Sequence, residues 1–350
     1  MKQSQQQSDH AATPLSPGNM TGFAAEFTDI VDYIKRITYR IWEGKQVGLC
    51  YDYYAEDCEI YTLDGVIQGS ETVVQNTLET LAMFPDRTLH ADQIIWSGDA
   101  EEGYHSSHRI CTHMTHSGRS AYGTATGKKA IVLGIAHCIV KQNRIVQEWL
   151  VRDNYALFEQ LGYRPETIAQ QNAQLPEWPT FHDWQQAEIA RIAAQHCTTR
   201  QTYPVQSEAV DNEAFVCALL HNLWNAKMLG DIMQGYAEDA RLYTTRKREL
   251  NGHSEITQFY VQLLSTFSAL QFSLDHVCSN TATQDQEIAV RWSLSGLHTG
   301  SALYGDPTHE RILIIGESHF QIKHHQFYQE WTIFDELSLL TQIERIRQRS

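Results

Sequence analysis

Residues 145–162 read IVQEWLVRDNYALFEQLG, and residues 327–344, which lie 182 positions later, read FYQEWTIFDELSLLTQIE. Both segments contain the pattern Glu-Trp-x-x-x-Asp, which ends at Asp153 in the first copy and at Asp335 in the second. The residues before each Asp alternate as in a strand, and those after it have the spacing of a helix that the Asp begins. A strand followed by a helix is therefore predicted twice.

The same offset relates many other positions along the chain. Matching pairs are Trp42 and Trp224, Tyr54 and Tyr236, Tyr61 and Tyr243, Arg109 and Arg291, and His137 and His319. Solenoid repeats have periods of about 20–50 residues, so this much longer period indicates a duplicated domain. A chain of 350 residues is long enough for two domains, each with its own core.

The composition indicates a soluble globular protein, with 42% hydrophobic residues and a formal net charge of −15. This charge predicts that the chain binds neither nucleic acid nor an anionic membrane. No apolar run reaches the roughly 18 residues of a membrane span. The seven cysteines are odd in number and form no C-x-x-C motif, which predicts a reducing, cytoplasmic location without a disulfide framework.

Four segments are predicted. Residues 1–22 are rich in Gln, Ser and Pro and are expected to be a disordered leader. The first domain should span 23–162 and the second 211–345. The intervening segment, 163–210, contains several prolines and a potential helix over 184–197, so it is interpreted as a linker that packs along one domain.

Each domain is predicted to contain three helices followed by a meander of long antiparallel strands. In the first domain, apolar residues from Phe23 to Ile41 recur at helical spacing. The strands are predicted near 89–97, 104–115, 128–141 and 144–153, and near 270–278, 286–297, 310–322 and 326–335. This α+β arrangement, with helices against a strongly curved sheet, leaves a concave side that can hold a small molecule.

An ordered set of short motifs resembles the SnoaL-like polyketide cyclase and ester cyclase family. The motifs are FPD at 84–86, SGD at 97–99, THSG at 115–118, YGTATGKK at 122–129 and the segment 145–162. The resemblance covers about 25–162 well and 211–343 more weakly. It implies two tandem cone domains with the nuclear transport factor 2-like fold, packed sheet to sheet as an internal pseudo-dimer. The chain would then be a monomer or form a further homodimer.

The resemblance also implies intramolecular aldol chemistry, without metal or cofactor, in which an Asp on the last strand is the acid/base. The matching residue is Asp153, with Asp335 in the second repeat. Asp153 shares a strand face with Trp149, so the sequence predicts an apolar pocket that raises the carboxyl pKa towards neutrality. Arg152 has the opposite parity and should point out of the pocket. The alternative is that Asp153 only caps the following helix.

Two further pairs are candidate polar partners. Arg109 and Arg291 lie mid-strand among uncharged residues, where they could bind a carboxylate or enolate oxygen. Alternatively, they form a salt bridge or lie on the outer face. His137 and His319 could polarise a carbonyl or orient the carboxylate, or they could be buried and hydrogen-bonded to backbone.

Several aromatic residues are expected at the core or rim of the pocket, where they would contact substrate. They are Trp42, Tyr54, Tyr61, Trp149 and Trp331. The strand 104–116 carries four histidines, but no pair lies at i and i+2 and no carboxylate is nearby. The sequence therefore predicts no metal site.

Two functions remain open. One is a cofactor-independent enzyme that uses Asp153, with His137 and Arg109, as an acid/base site on a carbonyl-containing substrate. The other is a non-catalytic ligand-binding or scaffolding protein with the same fold. An open pocket around Asp153 would favour the enzyme, whereas cones filled by their own side chains would favour the scaffold.

Overall fold

A computed structural model describes most of the chain. The described residues are 20–177, 181–195, 201–205, 211–280 and 286–349. Residues 1–19 of the predicted leader and the end of the predicted linker helix near Cys197 lie outside them. Within the described ranges, no helix is long and apolar enough to cross a membrane.

The two repeats contain the same elements in the same order. Repeat one has α1 (Ile30–Thr38), α2 (Cys50–Tyr53), β1 (Tyr54–Thr62), β2 (Gly65–Gln68), α3 (Ser70–Met83), β3 (Thr88–Asp99), β4 (Gly103–Thr115), β5 (Lys129–Lys141), β6 (Arg144–Arg152) and α4 (Asn154–Leu161). Two connecting helices follow, α5 (Pro165–Ala173) and α6 (Phe181–Ala194). Repeat two has α7 (Asn212–His221), α8 (Ile232–Gly235), β7 (Tyr236–Thr244), β8 (Arg248–Asn251), α9 (Gly252–Thr266), β9 (Phe267–Asn280), β10 (Gln286–His298), β11 (Arg311–Lys323), β12 (Gln326–Phe334) and α10 (Glu336–Arg349).

Helix α1 begins later than its apolar spacing suggests. Asp29 caps it by accepting a hydrogen bond from the Asp32 N–H at 2.8 Å. Phe27 lies before the cap but is still buried, and its ring packs edge-on against Tyr33. The prediction of a helix from Phe23 is therefore wrong by about two turns, because the apolar contacts continue into a non-helical segment.

Each repeat forms one six-stranded sheet, with the strand order β2-β1-β6-β5-β4-β3 in repeat one and β8-β7-β12-β11-β10-β9 in repeat two. The long strands pair antiparallel, as the sequence predicts. The first strand of each repeat pairs in parallel with the last, so that Tyr61 lies opposite Trp149. Strands β2 and β8 are not predicted from the sequence, because four residues are too few to show a strand periodicity.

The two sheets pack against each other through their outer faces. Odd-numbered residues of β4 and β5 lie on the outer face of repeat one, where the Ser107 hydroxyl is 2.9 Å from His319 Nε2 of repeat two. Even-numbered residues, such as Ile110 and Ala136, line the concave face. The duplicated chain is thus an internal pseudo-dimer of two cones, as predicted.

The connection between the repeats contains α5 and α6, where the sequence predicts one helix over 184–197. Helix α5 packs against α10 at the end of repeat two. Arg345 of α10 donates to the Asn172 carbonyl at 3.4 Å. The connection therefore joins the two repeats by packing rather than hanging free.

Candidate functional site

Repeat one encloses a cavity of about 280 Å³ between its helices and the concave face of its sheet. The walls are mainly apolar. They include Ile34, Ile37, Leu89, Ile110, Val132 and Leu157. Polar and ionisable side chains also line the cavity. They include Tyr54, Asp64, Arg87, His108, Glu148 and Arg152. A mostly apolar pocket with a few convergent polar groups is typical of small-molecule sites.

Glu148 is the buried carboxylate of this cavity. Its side chain lies on the concave face of β6, and the Tyr54 hydroxyl donates to Glu148 Oε2 at 2.9 Å. Burial raises the pKa of Glu148, while the hydrogen bond from Tyr54 and the positive charge of Arg152 oppose that shift. The carboxyl group is thus held in an environment where it can both accept and return a proton.

Arg152 and Arg87 place two guanidinium groups at the same cavity. No described residue forms a hydrogen bond or ion pair with Arg152, and Arg87 Nε is buried without a partner. Burial lowers the pKa of Arg87 to about 9, and the charge of Arg152 acts in the same direction. The prediction that Arg152 points out of the pocket is wrong, because the concave face carries the even-numbered residues of β6. A negatively charged ligand would relieve this repulsion.

His108 contributes a neutral imidazole to the wall of the cavity. Its side chain is buried, and its Nε2 has no hydrogen-bond partner among the described residues. Burial lowers the pKa of His108 to about 4, with a smaller contribution from Lys35. At neutral pH the ring can therefore donate or accept one hydrogen bond to a ligand in the cavity.

Asp153 lies outside this cavity. It shares a strand face with Trp149, as predicted, but that face is the outer one. Asp153 Oδ1 accepts from the N–H groups of Ala156 at 3.2 Å and Arg246 at 3.0 Å, and Oδ2 accepts from the Lys247 N–H at 3.0 Å. Burial raises its pKa, and these three N–H groups oppose the shift. The predicted position inside the cone is wrong, since Asp153 caps α4 and holds the turn between β7 and β8.

The arginine pair also lies between the sheets rather than in the cones. Arg109 Cζ is 3.6 Å from the centre of the Trp331 ring, and Arg291 Cζ is 3.6 Å from that of Trp149. Each Trp ring also stacks on a Tyr of its own repeat. These Tyr rings are Tyr61, 5.1 Å from Trp149, and Tyr243, 5.4 Å from Trp331. The predicted contact of Arg109 and Arg291 with substrate in a cone is therefore wrong, because each guanidinium packs on the opposite repeat.

The histidine pair lies at the same interface. His137 and His319 are both buried. His137 Nδ1 is 3.2 Å from Glu317 Oε1, and His319 Nε2 is 2.9 Å from the Ser107 hydroxyl. Neither imidazole lines the cavity of repeat one, so the structure does not bring the predicted set of Asp153, His137 and Arg109 together at the cavity. Of the predicted residues, Trp42 and Tyr54 do line it.

Asp335 caps α10 as Asp153 caps α4. Its Oδ1 accepts from the N–H groups of Leu337 and Ser338, each at 3.1 Å. Asn154 Nδ2 of repeat one donates to Asp335 Oδ2 at 2.5 Å. Burial raises the pKa of Asp335 to about 7, and the neighbouring Asp64 carboxyl adds to the shift. Asp335 is thus an interface residue, although its neighbours Asp64 and Asn154 border the cavity.

The comparisons with known proteins agree with this fold. The sequence profile of the SnoaL-like polyketide cyclase family matches residues 33–161 and 215–343, one segment in each repeat and together more than half of the chain. The chain belongs to this family. No curated protein matches the chain.

Solved structures of SnoaL-like proteins each match less than half of this chain. IdmH of Streptomyces antibioticus is 23% identical, with a TM-score of 0.33, and the match covers 38% of this chain and 97% of IdmH. A SnoaL-like protein from Jannaschia sp. CCS1 is 18% identical, with a TM-score of 0.35, and the match covers 41% of this chain and 96% of that protein. Each match thus spans nearly all of the solved protein but less than half of this chain.

The SnoaL-like cone of repeat two is filled by its own side chains. Trp292 occupies the position equivalent to Ile110, is buried, and donates from Nε1 to the Ser318 hydroxyl at 2.9 Å. A Cβ atom at Gly316 would overlap the Trp292 ring, so this Gly makes room for the indole. The rings of Phe272 and Phe334 pack against Trp292.

The polar groups of the two SnoaL-like cones also differ. Glu330 and Tyr236 repeat the Glu148–Tyr54 pair, with the Tyr236 hydroxyl donating to Glu330 Oε2 at 2.6 Å. The positions equivalent to His108 and Arg152 are apolar. They hold Val290 and Phe334. Repeat two thus keeps the carboxyl–phenol pair but lacks the imidazole and the cation.

Most ionisable groups of the cavity were not predicted as site residues from the sequence, among them Glu148, Arg152, Arg87 and His108. One signal for Glu148 is present, because it and Tyr54 both recur at the 182-residue offset. Arg152 and His108 give no such signal, since neither recurs in the second repeat.

Proposed function

We propose that repeat one is a cofactor-independent enzyme that binds a small carbonyl-containing substrate in its cone and moves a proton with Glu148. One observation carries this proposal. The buried Glu148–Tyr54 pair borders a cavity to which Arg152 contributes a cation without a partner among the described residues. Membership of the SnoaL-like polyketide cyclases supports a substrate with more than one carbonyl group.

The chemistry follows from the positions of these groups. Glu148 removes a proton from the carbon next to a carbonyl, and the Arg152 guanidinium stabilises the enolate oxygen that forms. In an aldol closure the enolate carbon then bonds to a second carbonyl carbon, and Glu148 returns its proton to the new alkoxide. In an isomerisation the proton returns to a different carbon instead. Both reactions return the enzyme to its starting state, and neither needs an external oxidant or reductant.

The remaining polar groups position the substrate. Tyr54 donates to one carboxylate oxygen of Glu148, which leaves the other oxygen for proton transfer. His108 and Arg87 have ring and guanidinium nitrogens without partners in the described part of the chain. They supply hydrogen bonds to a second carbonyl or a carboxylate of the substrate, so that the reacting atoms are held close together.

The test compares Glu148→Gln with Glu330→Gln. A thermal-shift screen of aromatic keto acids and diketones on the full chain first identifies a ligand that stabilises it. We expect Glu148→Gln to bind this ligand but to turn it over about 100–10,000-fold more slowly. Glu330→Gln makes the equivalent change in the filled cone and should leave turnover near the wild-type rate.

Equal turnover by Glu148→Gln and wild type would show that Glu148 is not the acid/base. A ligand that binds in the cone but is never converted by wild type would instead support a non-catalytic binding protein. For repeat two we propose a scaffolding role, which its Trp292-filled cone favours.

We also propose that the chain works in the cytoplasm and binds no nucleic acid. The six cysteines among the described residues are free, which suits a reducing compartment. The net charge of −15 opposes contact with a polyanion.

A further inference from the structure

Three histidines converge where the outer faces of the two sheets meet. His105 of β4 and His137 of β5 come from repeat one, and His276 of β9 comes from repeat two. One ring nitrogen of each lies within 4.8 Å of those of the other two. His105 Nδ1 is 3.2 Å from His137 Nε2, and the rings of His105 and His276 stack with their centres 3.8 Å apart. This cluster lies on the opposite face of the sheet from the cavity.

We propose that His105, His137 and His276 bind one divalent transition-metal ion of the zinc type, which joins the two repeats. Zinc binds imidazole nitrogens at about 2.0–2.1 Å, which places two nitrogens of a tetrahedral site about 3.3 Å apart. The 3.2 Å between His105 Nδ1 and His137 Nε2 already has this spacing. Three protein ligands leave the fourth position to water.

His137 faces the cluster with its Nε2 atom. On the other side of the ring, Glu317 Oε1 lies 3.2 Å from His137 Nδ1, although the two atoms do not form a hydrogen bond. In zinc sites a carboxyl group at this position, when hydrogen-bonded, fixes the ring of the ligating His. Glu317 is buried and comes from repeat two, so residues of both repeats surround His137.

One charge near the cluster opposes a cation, because Arg291 acts electrostatically on all three imidazoles. The proposal therefore rests on the geometry of the three ring nitrogens.

The pseudo-twofold axis supplies an internal control. The positions equivalent to His105, His137 and His276 hold Glu287, His319 and Gln93. At that end of the interface the Gln93 side chain donates to Glu287. One imidazole thus remains there where the other end has three. The sequence predicts no metal because the histidines of β4 alone form no ligand set, and the other ligands come from β5 and β9.

The experiment uses the full chain without a histidine tag, stripped with a chelator. Titration with cobalt(II), followed by visible absorption, and with zinc(II), followed by calorimetry, should give one bound ion per chain. His276→Gln and His105→Gln should weaken binding by at least the roughly 10–100-fold that loss of a supporting residue costs. His276→Gln introduces the residue type found at the equivalent position, Gln93, so the fold should tolerate it. His319→Gln is the matched control and should bind as wild type does.

Two results would overturn the proposal. One is wild-type protein that binds no cobalt or zinc at micromolar concentrations. The other is equal binding by wild type, His105→Gln and His276→Gln, which would place the metal on other histidines. Circular dichroism of the stripped variants checks that they remain folded. Since the cluster lies outside the cone, neither result depends on whether Glu148 is catalytic.

Discussion

Replacing Asp153 separates a structural from a catalytic role for this residue. Asp153→Ala removes the acceptor of the N–H groups of Ala156, Arg246 and Lys247. Each buried N–H left without a partner costs about 1–3 kcal/mol. Because the turn that carries Arg246 and Lys247 is only partly buried, water replaces some of the loss, and the total should be about 3–5 kcal/mol.

Asp153→Asn should be milder. The amide oxygen can take the place of Oδ1 and keep the bonds to Ala156 and Arg246, while its NH₂ group faces the N–H of Lys247. One lost hydrogen bond predicts a cost of about 1–3 kcal/mol. The free energy of unfolding, measured by urea titration with tryptophan fluorescence, should therefore decrease from wild type to Asn to Ala.

An exposed turn provides the control for this series. Asp99 accepts from the N–H groups of Glu101 and Glu102 in a surface turn, so Asp99→Ala should change stability much less than Asp153→Ala. Folded Asp153→Asn protein should retain ligand conversion, since Asp153 does not border the cavity. If Asp153→Asn were as stable as wild type but inactive, the structural reasoning would be refuted and Asp153 would become the acid/base candidate.

Two further changes test the cavity and the buried carboxyl group of the filled cone. Ile110→Trp introduces into the cone of repeat one the residue type that fills the cone of repeat two. It should abolish thermal stabilisation by the ligand and leave the circular dichroism spectrum unchanged. If the variant still bound the ligand, the ligand would have to lie elsewhere. Burial raises the pKa of Glu330 to about 7, so its folded pKa exceeds the unfolded value of about 4.5. The contribution of Glu330 to stability should be fully present below about pH 4.5. The free energy of unfolding should then fall by about 3 kcal/mol as the pH rises to 7. Glu330→Gln should flatten this fall in urea titrations at pH 5 and 8, and an unchanged slope would contradict the shifted pKa.

The strands of each repeat were predictable because their residues alternate and are bounded by turn residues. The predicted span 128–141, for example, differs by one residue from β5 (Lys129–Lys141). The same alternation correctly placed Trp149 and Asp153 on one face. The 182-residue repeat predicted two similar domains, and the family resemblance predicted that they pack through their sheets.

The side of the sheet that forms the cavity was not predictable from these patterns. In a single cone the buried face of a strand is usually the inner one. Here the second repeat buries the outer face too, so Asp153 is as buried as Glu148 and Trp149 is half-buried. Burial therefore did not distinguish the two faces. Similarly, the cluster around His137 combines strands from both repeats, and no spacing along one strand could reveal it.

The parallel pairing of β1 with β6 has a consequence for synthesis on the ribosome. The first sheet closes only when its last strand has been made, about 90 residues after its first, because Tyr61 pairs with Trp149. Two hydrogen-bond donors to Asp153, the N–H groups of Arg246 and Lys247, are synthesised nearly 100 residues after it. The nascent first cone would expose its outer face during this interval, and so a chaperone that shields sheet surfaces should bind this chain until residue 247 is available.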